Sequence, residues 1–221
     1  MNRRLVVVAD RNAHPVFCPG EPNTTLQPEV SEAFLKDTLA LGGSLHAGTA
    51  DAPALVLAYY GERVWYQHRT SSYWLLLPQM GSTVAQLLDN VLISLALEPD
   101  DETIILGTRT PQLSCRLLEQ AFDGLARFDA IIGPCEQSGV YLLGVRGRWP
   151  TGCLAEVDWQ GKRILPDLRQ AMRRARLNYA ALDKHDGLYD AEDLERLHLR
   201  LGEYPESTLK NTRHLLWNHA S

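Results

Sequence analysis

Strong charge of one sign and paired metal-binding residues are scarce in this chain. Its 22 Lys and Arg face 27 Asp and Glu, a net charge of −5, so broad charge-driven binding to nucleic acid is not expected. The four cysteines include no Cys-x-x-Cys pair, and the seven histidines show no zinc-type spacing. The composition therefore predicts neither a zinc site nor a disulfide framework.

Long apolar runs and flexible linkers are also missing. The apolar run that begins at Leu5 stops at Asp10, which makes it too short for a signal sequence or a membrane span. No stretch rich in Ser, Gly or Pro divides the chain. We therefore expect a single domain over residues 1–221, located in the cytoplasm and without a membrane contact.

Short apolar runs of strand length alternate with segments of helical periodicity. This alternation predicts an α/β fold, a three-layer α/β/α sandwich around a mixed, mainly parallel sheet of about six or seven strands. The predicted strands are residues 5–9, 54–59, 73–77, 103–106, 129–132 and 140–145.

The helical segments carry recognisable start and stop signals. An apolar stripe over residues 27–43 ends at the glycine pair 42–43, a common helix stop. A second stripe predicts a helix over residues 166–182. Asp190 is a natural N-cap for a further helix, and Asp193 lies in its first turn.

Three loops are candidate ligand sites because ligands of open α/β sheets bind beyond the carboxyl ends of the strands. These loops are residues 10–26, 107–111 and 133–139. Composition alone leaves open whether each is a ligand site or an ordinary connection. The residues predicted to line a cleft are Thr108, Arg109, Thr110, Glu136, Gln137, Ser138 and Gly139.

Two motifs resemble those of a known family. "ILGTRTPQL" at 105–113 and "DAIIGPCEQSGVYLLGV" at 129–145 are similar to Ile-Gly-Thr-Asp-Cys-Pro-x-Leu and Asp-Ala-Val-Leu-Gly-Pro-Ala-x-Asp-Gly-Gly-Tyr-Tyr-Leu-Ile-Gly-Leu. These runs belong to a bacterial family of glycosyltransferase-A-like proteins, which the chain resembles nearly end to end; "FLKDTL" at 34–39 is close to a further signature. The resemblance implies a fold similar to that of nucleotide-diphospho-sugar transferases and of guanylyltransferases such as the 2-phospho-lactate enzyme.

The chain departs from the family pattern at its charged positions. Arg109 stands where the family has an aspartate suited to a divalent metal, and Gln137 and Ser138 replace the Asp-Gly of the second motif. The family's Lys-Thr-Arg-Leu aligns with residues 23–26, which lack both cations, and its Asp-Val-Asp aligns with residues 187–189, Gly-Leu-Tyr. Since a metal that bridges a diphosphate needs carboxylates, we expect neither a metal nor a cofactor.

The positive charge of Arg109 bears directly on metal chemistry. A guanidinium about 4 Å from a divalent ion would repel it by about 8 kcal/mol at an effective dielectric near 20. Three interpretations remain open. The chain is a degenerate member that keeps the scaffold and acts by binding a partner protein or a ligand; or it is a metal-independent nucleotide-sugar or nucleotidyl transferase that uses Arg109 in place of a metal to bind a nucleotide or another phosphate-bearing small molecule; or Arg109 merely pairs with a nearby acid such as Glu136 and the cleft is vestigial. We favour the first, and we assign no catalytic residue.

Overall fold

The described part of the chain folds around a seven-stranded sheet. A computed structural model describes residues 2–9, 26–48, 51–137 and 139–219. The strands are β1 (Arg3–Val8), β2 (Ala54–Tyr59), β3 (Trp74–Pro78), β4 (Glu102–Leu106), β5 (Ala130–Pro134), β6 (Val140–Arg146) and β7 (Tyr179–Ala181). The helices are α1 (Pro28–Gly48), α2 (Arg63–Gln67), α3 (Val84–Ser94), α4 (Cys115–Leu125), α5 (Ile164–Arg174), α6 (Ala191–Leu199) and α7 (Lys210–His219).

The sheet is mixed and mainly parallel, as predicted. Its strand order is β3-β2-β1-β4-β6-β5-β7, and β6 is antiparallel to both of its neighbours while the other pairs are parallel. Residues 107–111 follow β4 directly, so this turn lies at the carboxyl end of a central strand. The predicted α/β fold class is confirmed.

Helices cover both faces of the sheet. Along β1, Val6 and Val8 pack with α3 and α5 on one face, while Leu5 and Val7 pack with α1 and α4 on the other. Strands buried on both faces read as continuous apolar runs, which explains why β1, β2, β4, β5 and β6 could be located from the sequence. Among the described helices, none has both the length and the apolar character that crossing a bilayer requires.

The predicted stop of α1 at the glycine pair 42–43 is wrong, because the helix continues to Gly48. A Cβ on Gly42 would lie 2.9 Å from the ring of Trp74, and one on Gly43 would lie 2.9 Å from the Tyr73 hydroxyl. These glycines allow α1 to approach strand β3 closely. Their role is tertiary packing rather than helix termination.

The helix predicted over residues 166–182 is too long, because α5 ends at Arg174. Arg176 has a φ of 58°, and the amides of Arg176 and Leu177 donate to the carbonyls of Arg173 (3.1 Å) and Met172 (3.0 Å). This is a Schellman motif with arginine at the position that glycine usually occupies. Shortly after this motif the chain becomes extended and forms β7, which pairs in parallel with β5.

Two caps fix the C-terminal helices. Asp190 and Asp193 form a capping box at the start of α6, which confirms the predicted N-cap. Asp37 of α1 is buried and accepts hydrogen bonds from the backbone amide and side chain of Asn211 (3.0 and 2.8 Å) and of Thr212 (2.9 and 2.7 Å). The aspartate of "FLKDTL" therefore holds the first turn of α7 against α1.

Candidate functional site

The turn that follows β4 is drawn into the protein. Thr108, Thr110 and Gln112 are buried, and Arg109 is half-buried. Strand β4 lies in the middle of the sheet and is buried on both faces. The turn that follows it is therefore also shielded from solvent, at the carboxyl edge of the sheet. Polar side chains in such a position require partners, because their burial removes them from water.

Three polar atoms of this turn are buried without a hydrogen-bond partner in the described part of the chain. They are Nη1 of Arg109, Oγ1 of Thr110 and Oε1 of Gln112. Leaving such an atom unpaired costs about 1–3 kcal/mol, and folded proteins leave few of them. The described part of the chain therefore supplies no hydrogen-bond partner for these three atoms.

The segment of residues 186–188 lies against the β4 turn. The amide of Leu188 donates to the carbonyl of Arg109 at 2.9 Å, and Nε2 of Gln112 donates to the carbonyl of Asp186 at 2.6 Å. The sequence pattern did not identify Gln112 as a site residue. The only local indication was that a polar residue directly follows Pro111. Its burial shows only in the tertiary structure.

The same segment reaches the loop after β5 through Gln137. The Gln137 side chain accepts from the amide of Gly187 (3.1 Å) and donates to its carbonyl (3.3 Å), like a neighbouring strand. Its amide nitrogen is also 3.4 Å from a carboxylate oxygen of Asp193. Two of the three predicted loops thus meet at one edge, and the polar atoms of Gln137 are used to hold them together.

Glu136 is paired with Lys184, whose Nζ lies 3.2 Å from its carboxylate. Within the described residues Arg109 has no ion pair with Glu136, the acid that the third interpretation gives as an example of its partner. Both Glu136 and Lys184 are about half exposed, and such a surface pair adds little stability. Gly139 is buried, and its carbonyl accepts from the amide of Cys135 at 2.9 Å.

Tyr189 occupies space beside Gly187. The end of its ring lies where a Cβ on residue 187 would stand, so a longer side chain there would require the ring to move. The two positions at which the family resemblance implies carboxylates therefore hold a glycine and an aromatic ring packed together. The ring fills part of the volume that acidic side chains would otherwise occupy.

Burial shifts the pKa values of a thiol and an imidazole at this edge, those of Cys135 and His185. Burial raises the pKa of Cys135 to about 12, although the hydroxyl of Tyr189 opposes the shift, so the thiol stays protonated at neutral pH. Burial lowers the pKa of His185, although Asp183 and Asp186 act in the opposite direction. The His185 ring packs edge-on against Tyr141, with ring centres 5.2 Å apart.

The described residues at this edge do not provide the grouped ligands that a divalent metal needs. In the described ranges no three His, Cys, Asp or Glu side chains are grouped to hold a metal ion. The acids nearest the edge are already engaged: Asp186 pairs with Arg200 at 2.8 Å, and Asp193 contacts Arg196 and accepts from the amide of Tyr189 at 2.7 Å. Residues 10–25, with most of the first candidate loop, and Ser138 lie outside the described residues.

Solved structures with this fold include several nucleotide-handling enzymes. A candidate nucleotide-diphospho-sugar transferase of Desulfovibrio desulfuricans is 18% identical with a TM-score of 0.79, over 100% of this chain and 96% of that chain. A cytidylyltransferase from Leptospira borgpetersenii is 9% identical with a TM-score of 0.58, over 100% and 95%. The CMP:2-keto-3-deoxy-manno-octonic acid synthetase complexed with CTP is 11% identical with a TM-score of 0.56, over 92% and 99%.

These likenesses confirm the nucleotide-diphospho-sugar transferase fold, and at such low identity they establish the fold alone. No functionally curated protein matches the chain. One family profile matches residues 44–161, which is more than half of the chain and includes the turn that contains Arg109. The chain therefore belongs to the family described as uncharacterised proteins conserved in bacteria, DUF2064.

Proposed function

We propose that this protein keeps the nucleotide-diphospho-sugar transferase scaffold without metal-dependent transfer activity, and that it acts by binding a ligand or a partner protein. The observation that carries this proposal is the packing of Tyr189 over Gly187. It leaves an aromatic ring at an edge where a diphosphate-bound metal would need carboxylate oxygens.

Electrostatics at the same edge supports the proposal. Arg109 brings a positive charge, and within the described chain no carboxylate neutralises it. The nearby acids Asp186 and Asp193 already have arginine partners. A divalent ion placed here would be repelled by Arg109, and the described chain offers no free carboxylate to bind it. The repulsion amounts to several kcal/mol.

A second function is favoured by the unpaired atoms of the β4 turn. Arg109 Nη1, Thr110 Oγ1 and Gln112 Oε1 are buried without partners in the described chain. A guanidinium offers a fixed fork of donors to phosphate oxygens, and a threonine hydroxyl can donate to the same group. These groups would suit a metal-independent nucleotide-sugar or nucleotidyl transferase in which Arg109 neutralises the phosphates.

Thermal shift assays in EDTA distinguish the two functions. Uridine, guanosine and thymidine diphosphate sugars are added to the wild type, to Arg109→Ala and to a control, Arg173→Ala, whose arginine is exposed on α5. The degenerate scaffold predicts no shift in melting temperature for any of the three proteins. The metal-independent transferase predicts a shift of several degrees that Arg109→Ala abolishes and Arg173→Ala keeps.

If such binding is found, its dependence on Arg109 has an expected size. Loss of a charge-assisted hydrogen bond weakens binding by about 1.5 to 3 kcal/mol, which is tenfold or more in affinity. Calorimetry with Mg²⁺ or Mn²⁺, with and without nucleotide, tests the metal separately. We expect no saturable binding, and an isotherm that saturates in the micromolar range would contradict the proposal.

A further inference from the structure

The two edges of the sheet are protected to different degrees. Strand β7 forms one edge, has only three residues and is followed closely by the exposed charged residues Asp183 and Lys184. A short strand flanked by charge discourages another strand from pairing with it. Strand β3 forms the opposite edge with five residues and, within the described chain, pairs only with β2.

Strand β3 and the residues that flank it are apolar and uncharged. Three large apolar side chains of this stretch are more than half exposed. They are Tyr73 (51%), Leu75 (60%) and Met80 (66%). In a chain that is 22% charged, residues 70–88 contain no Asp, Glu, Lys or Arg.

Such an edge exposes a row of backbone donors and acceptors beside apolar side chains, which is a template for another strand. Natural proteins usually protect it with charges, a proline or a bulge. Here the proline stands at the end of the strand, at Pro78, and the strand centre is unprotected. A partner that fits must supply strand hydrogen bonds and must not bury a charge.

We propose that the β3 edge pairs with the β3 edge of a second copy of this chain across a two-fold axis. An isologous pair of this kind brings two uncharged strips together, so neither copy loses the hydration of a charged group. The two sheets then become one continuous sheet, and each edge strand satisfies the backbone of the other. A charged partner protein would lose this complementarity.

The apolar area of this edge is small, so a dimer depends on backbone pairing as well. The three exposed side chains offer on the order of 300 Å² per copy, and a standard interface buries about 800 Å² per partner, so the backbone and polar groups of the edge supply the remainder. A two-fold contact closes on itself. The proposal therefore predicts dimers and not larger assemblies.

Sedimentation equilibrium or light scattering of the full chain tests the proposal. The wild type should show about twice the 24.8 kDa chain mass at micromolar concentrations. Leu75→Lys should show the monomer mass, and Met80→Glu, at the far end of the same edge, is the second variant should Leu75→Lys fail to fold. The control Leu199→Lys, on a residue that is 78% exposed on α6, should stay dimeric.

Circular dichroism and melting curves establish that each variant is folded. A monomeric wild type at about 100 µM, or a Leu75→Lys variant that is folded and dimeric, would overturn the proposal. Assemblies larger than a dimer would also overturn it, because a closed two-fold contact does not propagate. So would a wild type that purifies with a different protein on this edge in place of its second copy.

Discussion

Within the described chain, charged side chains are paired at the amino end of strand β4 and unpaired at its carboxyl end. At the amino end, two buried carboxylates pair with arginines of strand β1. Asp101 pairs with Arg4 at 2.7 Å, and Glu102 pairs with Arg3 at 2.9 Å. At the carboxyl end, Arg109 has no acidic partner in the described chain, and neighbouring polar atoms are buried and unpaired. At one end both carboxylates have arginine partners, and at the other end polar groups lack partners in the described part of the chain.

We interpret the paired charges at the amino end as a source of stability and the unpaired groups at the carboxyl end as candidates for ligand binding. Oε1 of Glu102 also lacks a hydrogen bond, but Arg3 neutralises the carboxylate through the other oxygen. Arg109 has no such compensation among the described residues. Ligands of open α/β sheets bind at the carboxyl ends of the strands, so the unpaired groups lie at the end where a ligand can use them. Four measurements test this contrast.

The largest expected effect is the loss of Asp101. This carboxylate accepts from Arg4, from the amide of Asn2 (2.9 Å) and from the amide of Glu98 (3.1 Å). Asp101→Ala should lower the free energy of unfolding by about 3 kcal/mol, since it leaves a partly buried arginine without its partner. Urea denaturation measures this loss.

The matched control is the neighbouring residue. Asp100 forms an exposed pair with Arg146 at 3.1 Å, and an exposed pair contributes less than about 1 kcal/mol. Similar losses for Asp100→Ala and Asp101→Ala would show that the amino-end cluster is not a special source of stability.

The second effect is a dependence of stability on pH. Burial alone raises the pKa of Asp101, but the hydrogen bonds from Arg4, Glu98 and Asn2 outweigh it and lower the pKa from 3.8 to about 2. Because the folded pKa is the lower one, the stabilisation is complete above pH 3.8 and is lost as the pH falls towards 2.

This loss should amount to about 2 kcal/mol. Urea denaturation at several pH values between 5 and 2 measures it, and Asp101→Asn should reduce the slope over this range. An unchanged slope in Asp101→Asn would assign the acid sensitivity to other carboxylates.

The third effect tests how tightly the carboxyl end is filled. Gly187→Ala places a Cβ against the Tyr189 ring and should lower the free energy of unfolding by about 1 kcal/mol, the low end of overpacking costs, because the outer part of a ring can turn aside. In a Tyr189→Ala background the same change should cost much less. Equal costs in both backgrounds would mean that the ring does not limit this space.

The smallest effect is expected for Arg109. Its guanidinium has no ion pair in the described chain, so Arg109→Ala should change the free energy of unfolding by less than about 1 kcal/mol. Arg4→Ala, which breaks the pair with Asp101, is the matched comparison and should be clearly more destabilising. A large loss on Arg109→Ala would give this residue a structural role and weaken both proposed functions.

Much of the sheet could be predicted from the sequence. Six strands are apolar runs, and five of them, β1, β2, β4, β5 and β6, are buried along most of their length. The seventh strand, β7, was predicted as part of a helix. The left-handed position just after α5 is occupied by Arg176 and not by glycine, so the sequence carried no helix stop there. Glycines 42 and 43 misled in the other direction, since they lie inside α1.

Of the candidate site, the sequence located the turn at Arg109 and the loop at Gln137 at the carboxyl edge, but not how their side chains are used. Gln137 bonds to Gly187, fifty positions away. Glu136 pairs with Lys184, forty-eight positions away. Composition and spacing carry no record of such contacts.

The sequence by itself determined the features that depend on short-range interactions: the apolar runs that become strands, the Asp190 cap of α6 and the strand-end position of Arg109. Only the tertiary structure decided which charges are neutralised and which polar atoms are left unpaired. The physical reason is that a hydrogen bond such as that between Asp37 and Thr212, 175 positions apart, depends on how the helices and strands pack. That same packing pairs the charges at the amino end of β4 and leaves Arg109 without an acidic partner in the described chain.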